Sequence, residues 1–264
     1  MNRQPIERQP AVSGTFYPAS APKLHQMLVH YLDDVKTDAK VPKAIIVPHA
    51  GYVYSGPVAA SAYARLKKAH ARITRAVIIG PSHRVAFRGL AISRAEAFVT
   101  PLGAIPVDRE ALQTIAHLPF VEYLEQAHTY EHSLEVHLPF LQETLDDFKI
   151  VPIVAGDASP EQVSQVIDAL WGGEETLIVI SSDLSHYHDY PTAQQKDRST
   201  SKIIEQLHYE QLDFESACGR VPVSGLLKLA REKSLSVKTI DLRNSGDTAG
   251  DKNRVVGYGA YVIE

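Results

Sequence analysis

The sequence predicts an α/β fold: a mainly parallel or mixed sheet with helices on both faces, in a single domain spanning residues 1–264. Three observations carry this reading. Short β-branched runs alternate with helix-like stretches along the chain. The runs are apolar throughout rather than alternating, which suits strands covered on both faces. Several of them end in polar turns, as the strands of open α/β sheets do where ligands gather.

The elements follow in order. Residues 21–34 show apolar spacing of three and four and predict a helix. KAIIVP at 43–48 predicts the first buried strand, followed by a helix at 57–69 with Pro57 in its first turn. TRAVIIG at 74–80 is a second strand, and residues 108–117 a helix capped by Asp108. Residues 131–137 open a further helix. Strand 149–154, helix 160–171, strand 176–181, and helices 193–207 and 222–233 complete the alternation, with Pro160 and Pro222 in first turns. Residues 236–242 and 255–263 are closing strands, joined through a turn-rich loop at 244–253. No internal repeat or low-complexity linker divides the chain.

Composition narrows the function classes. Of 264 residues, 27 are Lys or Arg and 31 Asp or Glu, a net charge of −4, and 44% are hydrophobic. A disordered, collagen-like or coiled-coil chain is excluded. Mild acidity without basic runs argues against nucleic-acid and anionic-membrane partners. The lone cysteine, Cys218, excludes internal disulfides, so a cytoplasmic location is expected. Residues 1–10 place Arg and Glu where an apolar signal core would sit, and no apolar run approaches the ~20 residues of a membrane span.

Three predicted strands run into histidine-bearing turns: His49 in PHAGY, His83 in GPSH, and His186 in SDLSHYH. Carboxyl ends of strands in one sheet converge, so residues far apart in sequence meet there. Neutral imidazole binds cations and titrates near neutrality, so such residues suit a metal or proton transfer. Two histidines with a third anionic group form the smallest metal site. Each histidine alone reads more readily as a core or turn residue bonded to a backbone carbonyl; three strand ends repeating the pattern point to one pocket.

The segment EHSLEVH adds Glu131, His132, Glu135 and His137. It is not HExxH: His132 and His137 are five apart and face different ways on a helix, whereas Glu131 and Glu135 share a face. It reads either as a charge-rich helix start or as acids that orient pocket histidines. Asp183, Ser185 and His186 lack a GxSxG elbow, so His186 is better read as an acid/base balanced by Asp183 than as part of a serine triad. Cys218, beside Arg220 and just before a helix, is either a small buried hydrophobe or a favoured thiolate acting as ligand or nucleophile. Neither GxGxxG nor GxxxxGK[ST] occurs.

Taken together, VSGTFYP (12–18), VPHAGYVYSGPVAA (47–60), IGPSH (79–83), EHSLEVHLPFLQ (131–142), SSDLSHY (181–187) and CGRVPV (218–223) resemble the Memo family, whose prokaryotic members are also called AmmeMemoRadiSam system protein B. SGD at 245–247 adds weakly, and the resemblance spans residues 11–263. It implies a fold similar to class III extradiol dioxygenases of the protocatechuate 4,5-dioxygenase type, in which two histidines and a glutamate hold ferrous iron. Carried over by motif, His49 and His83 are ligands, Cys218 stands where those enzymes have glutamate, and His186 is the acid/base. This softer donor set suits iron(II), with zinc or copper as alternatives. The resemblance further implies radical SAM and AMMECR-type partner proteins.

The expectation is therefore a Memo-like metalloprotein with redox or oxygenase-type chemistry on a small substrate. His186 and Asp183 would be catalytic, His49, His83 and Cys218 the metal ligands, and Glu131, His132, Glu135 and His137 would line or support the pocket. The alternatives are an adaptor that binds a phosphopeptide or small acid in the same cleft, and a zinc or serine hydrolase using Ser185.

Overall fold

The apolar runs become the centre of a nine-stranded mixed sheet in the computed structural model, which describes residues 6–264. The first five residues of the stretch read as carrying no export signal lie outside the described residues. In chain order the strands are β1 (Glu7–Arg8), β2 (Ala44–Val47), β3 (Arg75–Pro81), β4 (Leu90–Ile92), β5 (Ala97–Thr100), β6 (Gly103–Pro106), β7 (Val121–Tyr123), β8 (Lys149–Ala155), β9 (Thr176–Ser181), β10 (His186–His188), β11 (Val237–Asn244) and β12 (Val255–Ile263). The helices are α1 (Ala21–Asp33), α2 (Tyr52–Tyr63), α3 (Arg109–Ile115), α4 (Glu125–Thr129), α5 (Leu138–Thr144), α6 (Pro160–Ala169), α7 (Tyr190–Glu205), α8 (Arg220–Glu232) and α9 (Ser245–Thr248).

The large sheet runs β10-β12-β2-β9-β3-β8-β4-β7, with β11 also paired to β12. β2, β9, β3 and β8 are parallel to one another; β12 joins β2, and β4 joins β8, antiparallel. Every residue of β2 and β9 is buried, as the unbroken apolar runs required. α2, with α1 and α5 beside it, and α7 pack on the β11–β12 part of the sheet, while α8 packs on β3 and β9 with α6 behind it. α1 presents Leu24, Leu28 and Leu32 inward at a spacing of four. A separate three-stranded sheet, β1-β5-β6, was not foreseen: its strands are short and its sequence carries no long β-branched run. Among the described residues no helix is long and apolar enough to cross a membrane.

Three local expectations need correction. α2 starts at Tyr52, and Pro57 lies inside it rather than in its first turn. The carbonyl of Gly51 accepts from the N–H groups of Tyr54 and Ser55 (2.8 and 3.1 Å), so the helix begins almost directly after His49. Pro57 leaves the carbonyl of Val53 without its helical donor, on a turn that faces solvent. Residues 131–134 form a turn, not a helix, because the Glu131 carboxylate folds back onto the N–H groups of His132 and Ser133 (both 2.9 Å). Only Glu135–His137 make one tight turn before α5. The stretch at 244–253 is not all loop: Asn244 ends β11 and, with Asp247, closes a capping box on α9. Asp108 does cap α3, accepting from the N–H of Ala111 (3.0 Å).

Candidate metal centre

β2, β9 and β3 are neighbours and parallel, so their carboxyl ends lie side by side. His49 stands two residues beyond β2, Asp183 two beyond β9, and His83 two beyond β3. The turn at 131–134 brings His132 over the same spot. Ring centroids are 5.1 Å apart for His49 and His83, 4.5 Å for His83 and His132, and 5.5 Å for His49 and His132. One ring nitrogen from each of these three histidines lies within 4.8 Å of the other two.

Counting protons decides which nitrogens are free. Ser181 donates its hydroxyl proton to the carbonyl of Ser133 (2.6 Å), so toward its other neighbours its oxygen can only accept. His49 Nδ1 (2.6 Å) and His137 Nε2 (2.9 Å) both donate to it. His49 therefore carries its proton on Nδ1 and leaves Nε2 bare. His83 Nδ1 donates to Glu131 Oε1 (2.8 Å), which also leaves its Nε2 bare. Burial would raise the Glu131 carboxyl, but the ring and N–H of His83 and the N–H of Ser133 override it and hold the group at about 2. A carboxylate behind a histidine is the arrangement that fixes the ring and raises its donor strength toward a metal.

Burial keeps three of the imidazoles neutral. Burial pushes His49 well below the ordinary value, with His83 and His132 adding to the effect. Burial, reinforced by His83, brings His132 to about 4. His137 lies deeper, against Tyr63, and is brought by burial to about 3. It supports Ser181 rather than lining the pocket.

Cys218 Sγ sits 3.2 Å from His49 Nε2 and accepts from the N–H of Asp183 (3.3 Å). Of the two readings of Cys218, this environment gives the buried thiol rather than the favoured thiolate. Burial pushes the thiol well up, and the Asp183 carboxylate adds to this. Arg220, which was to offset them, stacks its guanidinium over Phe214 (3.5 Å) instead. A bound cation reverses that preference, because a coordinating thiol gives up its proton. Two bare imidazole nitrogens, a third neutral imidazole and a thiol fit a borderline transition metal.

Asp183 does not bond to His186. It accepts from the backbone N–H of His49 (2.8 Å), its other oxygen lies 3.9 Å from His49 Nε2, and burial raises its carboxyl. His186 Nδ1 donates to the carbonyl of Leu184 (2.8 Å), which leaves its Nε2 bare as well. Ser185 is 1% exposed, and its hydroxyl has no hydrogen-bond partner, so no serine–histidine pair forms.

Glu135 does not meet the histidines. It pairs with Arg8 and accepts from Tyr17 (2.5 Å) and the N–H groups of Ala11 and Val12 (2.7 and 3.0 Å). Arg8 also donates to the carbonyls of His128 and Glu131 (3.1 and 2.5 Å). This buried pair ties residues 8–17 beside the pocket, where Phe16 packs on His132 (4.9 Å). Ser181, Ser133, Arg8 and Phe16 escaped sequence reasoning. Ser181 opens the SSDLSHY motif, but nothing in one sequence marks a strand-end serine as a proton acceptor.

The Memo-like protein family model matches residues 8–262. The chain belongs to the Memo family. It is 38% identical to a MEMO1 family protein of Aquifex aeolicus over 263 residues, covering 95% of this chain and 97% of that one. A MEMO1 family protein of Methanosarcina barkeri is 36% identical, over 97% of this chain and 100% of its own. One from Sulfolobus acidocaldarius is 37% identical, over 95% and 97%. A solved structure, an uncharacterized protein of Escherichia coli K12, matches this Memo chain with a TM-score of 0.54 at 14% identity, over 83% of this chain and 98% of that chain. That is a likeness of fold.

Proposed function

We propose that this Memo chain is a metal-dependent redox protein acting on a small substrate, with His49 and His83 as the fixed metal ligands. The observation that supports it most is that both rings have their Nδ1 protons committed to acceptors behind them, while neither Nε2 carries a proton and that of His49 meets the Cys218 thiol. Cys218, 3.2 Å from His49 Nε2, is the third ligand in this reading. His132 is the competing third ligand, because its ring nitrogen joins the same 4.8 Å group. Bound iron(II) would supply redox chemistry and Lewis acidity; zinc or copper would fit the same donors.

The protein's own part follows from its hydrogen bonds. Ser181 and Glu131 hold the two imidazoles in orientation and keep water from competing for their Nδ1 protons. His186, with Nε2 free and Nδ1 anchored, takes or returns a proton at Nε2. Asp183 fixes the turn that carries His49.

The test is metal content by mass spectrometry on protein purified without oxygen. The parent is expected to hold close to one iron per chain, and His49→Ala and His83→Ala to hold none. Loss in Cys218→Ser but not His132→Ala assigns the thiol, and the converse assigns the third histidine. Stoichiometric zinc in place of iron redirects the activity to hydrolysis and overturns the redox reading. A parent without transition metal, correctly folded, overturns the metal reading and leaves a cleft that binds without turnover.

A further inference from the structure

One buried carboxylate near the site is used by none of the groups above. Asp197 of α7 is 2% exposed and has no Lys, Arg or His partner within ion-pair distance among the described residues. Its Oδ1 accepts from the backbone N–H of Ser185 (3.0 Å), while its Oδ2 and the Ser185 hydroxyl have no hydrogen-bond partner. Burial raises its carboxyl, while the N–H of Ser185 and the nearby His186 and His188 favour the charged form.

The peptide group joining Leu184 to Ser185 links this carboxylate to the site. Its N–H donates to Asp197 Oδ1, and its carbonyl accepts from His186 Nδ1 (2.8 Å). A carbonyl can only accept, so the His186 proton sits on Nδ1 and Nε2 is bare. The two bonds belong to one planar amide, and a negative charge on its N–H polarises its carbonyl into a stronger acceptor. β12 holds the peptides on either side of that amide: Leu184 N–H donates to the carbonyl of Gly257, and Gly257 N–H donates to the carbonyl of Ser185 (both 2.8 Å). Gly257 has to be glycine, because a Cβ there would run into the Asp197 carboxylate.

We propose that Asp197 is a positioning residue that acts on His186 through the Leu184–Ser185 peptide, holding the ring as the Nδ1–H tautomer and strengthening Nε2 as a base. The arrangement is a carboxylate–histidine pair with one amide inserted between the partners. It rests on reading His186 as the proton-transfer group, but its test needs neither metal nor substrate.

Long-range 1H–15N spectra of the labelled, full-length protein at mildly alkaline pH read the His186 tautomer directly. The parent is expected to show a protonated Nδ1 and a bare Nε2. Finding Nε2–H in the parent overturns the proposal without any variant. The second measurement is the rate at which diethylpyrocarbonate modifies His186, followed by peptide mass spectrometry. Asp197→Asn keeps an acceptor for Ser185 N–H but removes the charge, so the His186 rate is expected to fall roughly two- to tenfold. The rate at exposed His25, the melting curve and the metal content are expected to stay at parental values. A folded Asp197→Asn protein whose His186 reacts at the parental rate reduces Asp197 to a turn cap and overturns the proposal. If the parent binds no metal, the redox reading fails while the tautomer and rate results still decide this one.

Discussion

The two ends of the parallel strands differ in a way that separates a cavity from a site. At the amino ends of β3, β8 and β9 lies a cleft of about 760 Å³, lined by Arg75, Asp108, Glu143, Asp146, Lys149 and Glu175 among others. Four of its acids have close partners. Asp108 pairs with Arg75 (2.8 Å), Glu143 with His25 (2.8 Å), Asp146 with His70 (2.7 Å), and Glu175 accepts from the N–H of Gly173 and the hydroxyl of Thr176. At the carboxyl ends three imidazole nitrogens lie within 4.8 Å of one another with a thiol beside His49, and the Nδ1 protons of His49 and His83 are committed to acceptors behind them. Unspent lone pairs, not volume, mark the end that can do chemistry.

The sharpest way to probe that contrast is to unlock the carboxyl end from behind. Glu135→Ala leaves the Arg8 guanidinium buried without its partner, and is expected to destabilise the fold by about 3–5 kcal/mol, read as a lowered urea midpoint. Glu131→Gln tests the acid range. Its carboxyl is held at about 2 in the folded state against an ordinary 4.5, so it contributes stability that is present above about pH 4.5 and lost as pH falls toward 2. The parent is therefore expected to lose melting temperature over that window more steeply than Glu131→Gln, and parallel curves would refute the assignment.

At the amino ends the effects should be smaller and confined to stability. Asp108→Ala removes the cap of α3 and the partner of Arg75, at a cost of about 1–2 kcal/mol, with metal content unchanged. His70→Ala breaks an exposed pair and is expected to shift stability by less than about 0.5 kcal/mol. A loss of metal in either variant would erase the distinction between the two ends.

Much of this was legible in one sequence. Continuous apolar runs located β2, β3, β8 and β9, and the strand-end rule placed His49 and His83 side by side, whereas His186 lies in a short strand of its own, β10. What escaped was whatever depends on backbone direction. Glu131 and Glu135 look equivalent at a spacing of four, yet the turn at 131–134 sends one to His83 and the other to Arg8 and Tyr17. Cys218 stayed open between a buried hydrophobe and a thiolate because a helix start and an arginine are visible in sequence, whereas burial and the stacking of Arg220 on Phe214 are not. Pro57 read as a helix start because an interior proline is penalised; Gly51 had already opened the helix.

The Cys218–His49 contact joins positions 169 residues apart. His49 leaves the ribosome long before its sulfur neighbour exists: at about 5–20 residues per second the interval is roughly ten to thirty seconds. For most of it the PHAGY turn has no β9 beside it, and throughout it α8 has yet to be made. The finished pocket is a product of the completed sheet, so no amino-terminal fragment can stand in for it.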